Sequence, residues 1–203
     1  MKSTNEQKYE SGNPILQKLI ARFHRRIVEI VAPLRPTTVL DAGCGEGYLA
    51  RHLLDHLPGI RLTGVDVSAQ AIERAKRRCP EGQFSVGTLE ALESGGRSFD
   101  LVVCSEVLEH LEDPRAALER LASLAAPHAL LTVPWEPWFQ LANLARGKYL
   151  RNLGNHPEHI QRWTKRGFVR IVETTFEPLH VEVRFPWTLL LARTRVSSQR
   201  TVA

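Results

Sequence analysis

Cysteine is scarce in this 203-residue chain: Cys44, Cys79 and Cys104 are the only three, and none stands in a C-x-x-C pair. That argues against a disulfide framework and a thiolate zinc centre, leaving the three as small buried hydrophobes. No run approaches ~18 consecutive apolar residues, the length a membrane-spanning helix needs. The polar start MKSTNEQKYESG has no apolar stretch behind it, so neither a signal peptide nor a membrane span is expected and the predicted location is cytoplasmic. Internal repeats and low-complexity segments are missing too. What remains is 43% hydrophobic and 24% charged residues, the composition of one globular domain with a sizeable core. The net charge of +5 is spread over segments such as ARFHRR (residues 21–26) and ERAKRR (residues 73–78). Solvated helix faces account for most of it, with a polyanionic partner as the second reading.

Apolar residues at Ile15, Leu16, Leu19, Ile20, Phe23, Ile27, Ile30 and Val31 follow the helical period. Asn13-Pro14 opens this helix and Pro33 closes it. TTVLDAG then reads as a strand, GYLARHLLDHL as a helix stopped at Pro58-Gly59, RLTGVDVS as a second strand and AQAIERAKRRC as a second helix of the alternation. A third strand lies in GQFSVGTLEAL. FDLVVCSEVLEHL reads as a fourth strand running into a helical turn, RAALERLASLAA as a helix capped by Asp113-Pro114, and HALLTVP as a fifth strand. Strands alternating with helices predict an α/β fold, a doubly wound, mostly parallel Rossmann-like sheet of seven strands with helices on both faces. After a Trp-rich basic insertion come the helix KRGFVRIVETT and two extended runs, LHVEVRF and TLLLARTR. Their connection is too short for a parallel crossover, so they are expected as an antiparallel pair closing one edge. We divide the single domain, residues 1–203, into an N-terminal helix and lid (1–36), a core (37–134), an insertion (135–163) and a C-terminal helix with its strand pair (164–203).

Ligands of such sheets sit beyond the carboxyl ends of the strands. The turn Gly43-Cys44-Gly45-Glu46-Gly47 occupies that position after the first strand. A dinucleotide loop, G-x-G-x-x-G, would keep its third glycine at position 48, which is Tyr48 here. The spacing is instead G-x-G-x-G behind Asp41, an acid that suits a cation better than a pyrophosphate. About 20 positions beyond the loop, Asp66 ends the second strand, where a carboxylate can accept both ribose hydroxyls. A ribose with a positive centre describes S-adenosylmethionine. The reading without a ligand makes the glycines a tight strand-to-helix turn and Asp66 a helix cap.

Through VLDAGCGEGYLA, GVDVS, VGTLEAL and FDLVVCSEVLEHL, the chain resembles the class I S-adenosylmethionine-dependent methyltransferases over roughly residues 37–134 and onward. The resemblance implies cofactor contacts from Asp41, Gly43, Cys44, Gly45, Gly47, Asp66, Val67, Thr88, Leu89 and Cys104. Many relatives carry an acid where Thr88 stands, so the Thr88 hydroxyl and the Leu89 amide would replace it toward the adenine.

In SEVLEH, Glu106, Glu109 and His110 are spaced i, i+3 and i+4, so one helical turn would put them on one face. A divalent cation would reconcile two carboxylates with an imidazole there. Downstream, GNHPEHIQRWTKRGF supplies His156 and His159, with Thr164 as the cap of the next helix. The two motifs together resemble the metal-dependent 2'-O-methyltransferases that modify the 3' end of small RNAs. The first alone resembles the quinone-precursor O-methyltransferases. These resemblances imply Mg2+ or Mn2+ held by Glu106, Glu109, His110 and His159. Without a metal, His110 or His159 becomes the candidate base, and His110, Glu106 and His159 are the catalytic candidates. The insertion (Trp135, Trp138, Phe139, Tyr149 beside Arg146, Lys148 and Arg151) is expected as a lid over the acceptor, with Tyr9 in a second lid. Its basic face admits solvent, an anionic membrane surface in peripheral contact, or RNA. The first functional expectation is O-methylation of a small-molecule, quinone-like, glycan or lipid-linked acceptor. RNA 3'-terminal 2'-O-methylation is the second, and a non-catalytic cofactor-binding regulatory subunit the third.

Overall fold

The computed structural model describes residues 13–89, 91–92, 98–135 and 160–195. The chain divides into two compact units, Met1–Glu93 and Ser94–Ala203.

In the first unit, α1 (Pro14–Val31) starts where Asn13 Oδ1 accepts the backbone N–H groups of Ile15 and Leu16, with Pro14 at the first position. It buries Ile20, Phe23, Ile27, Ile30 and Val31, the stripe the period predicts. β1 (Thr38–Ala42) is buried from Val39 onward, and α2 (Tyr48–His56) follows it. β2 (Arg61–Asp66) leads to α3 (Ala69–Arg78), capped by Ser68 Oγ accepting from Ala71 N, and then to β3 (Gln83–Val86). β1 pairs β2 in parallel, Asp41 opposite Gly64, and β2 pairs β3 in parallel, Asp66 opposite Val86. His24, buried on α1, has His52 of α2 at 5.6 Å between ring centroids, and His52 has His56 at 4.2 Å. All three cysteines of the chain are free and buried.

In the second unit, β4 (Phe99–Ser105) has a wholly buried centre, Leu101 to Cys104, and continues through a short 3-10 turn, Leu108–His110. α4 (Pro114–Leu124) is capped by Asp113 Oδ1, which accepts from Arg115 N and Ala116 N at 3.1 Å each. The helix stops two residues before its expected end, and Ala125 and Ala126 open β5 (Ala125–Pro134) instead. Ala126 precedes Pro127, and the proline ring disfavours the helical conformation there. Thr164 caps α5 (Lys165–Val172) through Gly167 N, as expected. α5 also ends early: Thr174 Oγ1 donates to Ile171 O at 2.7 Å, offering the last carbonyls a side-chain partner in place of a further turn. β6 (Phe176–Arg184) and β7 (Trp187–Thr194) are antiparallel, as their short connection requires. β7 also pairs antiparallel with β5, while β4 and β5 are parallel.

The strand order is β3-β2-β1-β4-β5-β7-β6 in one seven-stranded sheet. The mostly parallel sheet with an antiparallel last strand is thus the one the alternation predicts. No described helix is long and apolar enough to cross a membrane.

Candidate active site

The first unit carries the glycine turn. Gly43, Gly45 and Gly47 adopt φ values of 81°, 52° and 77°, left-handed conformations that cost a side-chain-bearing residue about 1–2 kcal/mol each. The sequence therefore spends its glycines where the backbone demands them. The turn is tied to β2: Gly43 N and Cys44 N both donate to Val65 O, at 2.7 and 3.0 Å. Close approach is a second demand, because a Cβ on Gly47 would lie 3.1 Å from the Cα and Cβ of Ala75. Arg78 completes the frame, its guanidinium 3.6 Å from the centre of the Tyr48 ring and donating to Glu46 O.

Asp66 holds the loop from the other side. Its Oδ2 accepts from Gly45 N at 2.9 Å and its Oδ1 from Ser68 N at 2.9 Å. Each carboxylate oxygen keeps a second acceptor position. One residue thus braces the glycine turn and the entry to α3, while the cap of α3 itself is Ser68 and not Asp66.

Asp41 is 1% exposed, and its Oδ2 has no hydrogen-bond partner among the described residues. Burial first, and the neighbouring Asp66 carboxylate second, push it up to about 7. The same surroundings push the Cys44 thiol up, burial again leading. Of the remaining cofactor candidates in this unit, Val67 is 70% exposed, Leu89 is buried, and Thr88 Oγ1 accepts from Ala91 N at 3.2 Å.

In the second unit Cys104 lies inside β4, wholly buried and in register with Leu131, a core position. The expected single helical face of Glu106, Glu109 and His110 does not form. Glu106 has φ 59° and stands before the 3-10 turn, Glu109 is 2% exposed, and His110 is exposed. The left-handed residue breaks the spacing on which an i, i+3, i+4 face depends. Among the described residues no group of three or more His, Cys, Asp or Glu is arranged to hold a metal ion. Glu106, Glu109 and His110 by themselves, without His159, do not form such a group. His159, the fourth expected ligand, lies outside the described residues, as do His156 and the lid residues Tyr9, Trp138, Phe139, Arg146, Lys148, Tyr149 and Arg151. Nearby, Ile160 N and Gln161 N both donate to Glu109 O at 2.9 Å, which ties the chain before α5 to this turn.

Sequence reasoning missed Trp187. Its indole Nε1 donates to Glu106 Oε2 at 2.8 Å, across 81 positions of chain. Because β7 is antiparallel to β5, its first residue lies opposite Pro134, the last of β5, and so reaches the edge where β4 ends. The sequence placed Trp187 in the short connection, one residue before the run TLLLARTR, and the structure makes it the first residue of β7.

Residues 40–131 match a family model described as a methyltransferase domain. An uncharacterized methyltransferase of Mycobacterium tuberculosis is 35% identical over 153 residues, covering 74% of this chain and 71% of that protein. The ubiquinone biosynthesis O-methyltransferase of Coxiella burnetii is 29% identical over 184 residues, 81% of this chain and 78% of that one. Among solved structures, the magnesium protoporphyrin IX methyltransferase of Synechocystis with bound S-adenosylhomocysteine matches with a TM-score of 0.70 at 22% identity, over 93% of this chain and 92% of that one. The chain belongs to the methyltransferase family, and its fold is that of the class I, S-adenosylmethionine-dependent enzymes.

Proposed function

We propose that the protein transfers the methyl group of S-adenosylmethionine to a phenolic hydroxyl oxygen of a small aromatic acceptor of the quinone-precursor kind. The observation that carries this reading is the likeness, over 81% of the chain, to a protein named as a ubiquinone biosynthesis O-methyltransferase.

The roles of the chain's own residues follow from their chemistry. The glycine turn lets the backbone approach the cofactor, Asp66 accepts the ribose hydroxyls, and Asp41 favours a cationic ligand nearby. The acceptor oxygen attacks the methyl carbon in line. The carbon–sulfur bond breaks with its electron pair remaining on sulfur, giving neutral S-adenosylhomocysteine. A phenol with a pKa near ~10 is mostly protonated at neutral pH, so its proton has to be taken as the bond forms. Glu106, at the end of β4, is the residue to which we assign that proton. Holding oxygen and methyl in line supplies much of the remaining acceleration.

The test is transfer of labelled methyl from S-adenosylmethionine to a dihydroxybenzoate, with the product identified as a methyl ether. Glu106→Gln is expected to lower kcat about a hundredfold, the general-base contribution, at unchanged cofactor affinity. No methyl ether on any phenol offered, together with methylation of a short RNA in the same assay, would overturn the reading.

A further inference from the structure

The geometry points to Trp187 as the positioning residue that holds the Glu106 carboxylate at the acceptor edge of the second unit. The inference rests on the assignment of Glu106 under the proposed function, and it begins from a conformational cost. Glu106 is a non-glycine residue at φ 59°, where glycine or asparagine would sit more cheaply. A charged side chain kept at such a position is kept for what the side chain does, since the backbone alone would favour another residue.

Hydrogen bonds to β5 and β7 hold it there. Glu106 N donates to Thr132 O at 3.1 Å, which fixes the backbone against β5, and Trp187 Nε1 donates to Glu106 Oε2 at 2.8 Å, which fixes the carboxylate. Trp187 is 3% exposed, so its ring is clamped by the sheet and its N–H has one direction to point. The support behind it is rigid: Pro134 and Trp187 are paired in the ladder, and Trp135 N donates to Pro186 O at 2.8 Å. Beside Glu106, Ser105 Oγ and Thr132 Oγ1 share a hydrogen bond at 2.9 Å, which sets the preceding residue in turn. An indole is a donor only, so it cannot take the proton that the carboxylate receives and cannot compete as a base. Trp187 leaves Glu106 ready to act while removing its rotamer freedom.

Two measurements on the full chain test this. In 1H–15N spectra, the Trp187 indole resonance, assigned by its loss in Trp187→Phe, is expected downfield and protected from solvent exchange, and Glu106→Gln should move it upfield. In dihydroxybenzoate methylation, Trp187→Phe keeps an aromatic ring but loses the N–H. It should lower kcat by about tenfold, the scale of one hydrogen bond to a charged group, with cofactor Kd unchanged. In the Glu106→Gln background the same substitution should have little further effect, because its action passes through the carboxylate. A purely structural tryptophan would lower activity equally in both backgrounds. That additivity, or an indole signal indifferent to Glu106→Gln, overturns the inference. Should the wild type leave the dihydroxybenzoate unmethylated, the phenolic acceptor is wrong, and the indole spectrum alone decides whether Trp187 holds Glu106.

Discussion

Asp41 and Asp66 stand at the ends of neighbouring strands and solve different problems. Asp66 is satisfied by two backbone donors, whereas one Asp41 oxygen has no partner among the described residues. Its folded value of about 7 lies above the ordinary 3.8, with burial the larger cause. Between these values the folded chain keeps a proton that the unfolded chain has lost. The stability owed to this group is therefore full below about pH 4 and declines as pH rises toward about 7. Asp41→Asn keeps the shape and abolishes the ionisation, so the variant should gain in Tm over the wild type progressively from about pH 4 to about pH 7. Thermal unfolding without cofactor at several pH values checks this, and a pH-independent difference would mean that Asp41 ionises as an ordinary carboxyl. The cofactor should feel the opposite slope, binding more tightly as Asp41 becomes charged. Asp41 could be singled out from its place before the glycines. Its missing partner could not, because burial of a particular oxygen depends on packing from distant residues.

At the scale of elements, periodicity and punctuation carry most of the fold. Asn13-Pro14, Ser68, Asp113-Pro114 and Thr164 each begin a helix where their side chains imply, and all four accept the backbone donors a cap should. The misses have local causes that outweigh period. Ala125 and Ala126 look helical by composition but extend a strand before Pro127, and Glu106 leaves the helical spacing through a left-handed turn that no apolar pattern announces. The metal reading depended on that spacing, which is why the acceptor side was less legible than the glycine turn. The glycine turn itself makes a sharp prediction. Gly47→Ala meets a positive φ and a Cβ 3.1 Å from Ala75, between the start of α2 and the body of α3. Strain and overpacking together should cost about 2–4 kcal/mol in denaturant unfolding, with cofactor affinity falling as well.

For the whole molecule, a ligand that binds only the folded chain raises its stability by mass action. S-adenosylhomocysteine at a hundredfold excess over its Kd should add about 2.7 kcal/mol to unfolding. Asp66→Ala removes both the proposed ribose acceptor and the brace on Gly45, so the ligand-induced rise in Tm should vanish in that variant. A rise equal to that of the wild type would show that the ribose lies elsewhere. The net charge of +5 contributes to solubility and to encounters with anions, and it says nothing of the fold.

The antiparallel β7 also has a consequence in time. The bond from Trp187 to Glu106 spans 81 positions, and its donor comes from the last strand of the sheet. A contact so distant along the chain has to wait for loop closure and for β5 and β7 to find their register. During synthesis the glycine turn is complete long before Trp187 has been added. The acceptor edge is therefore among the last features to mature, and the indole N–H is a natural clock for the final event of folding.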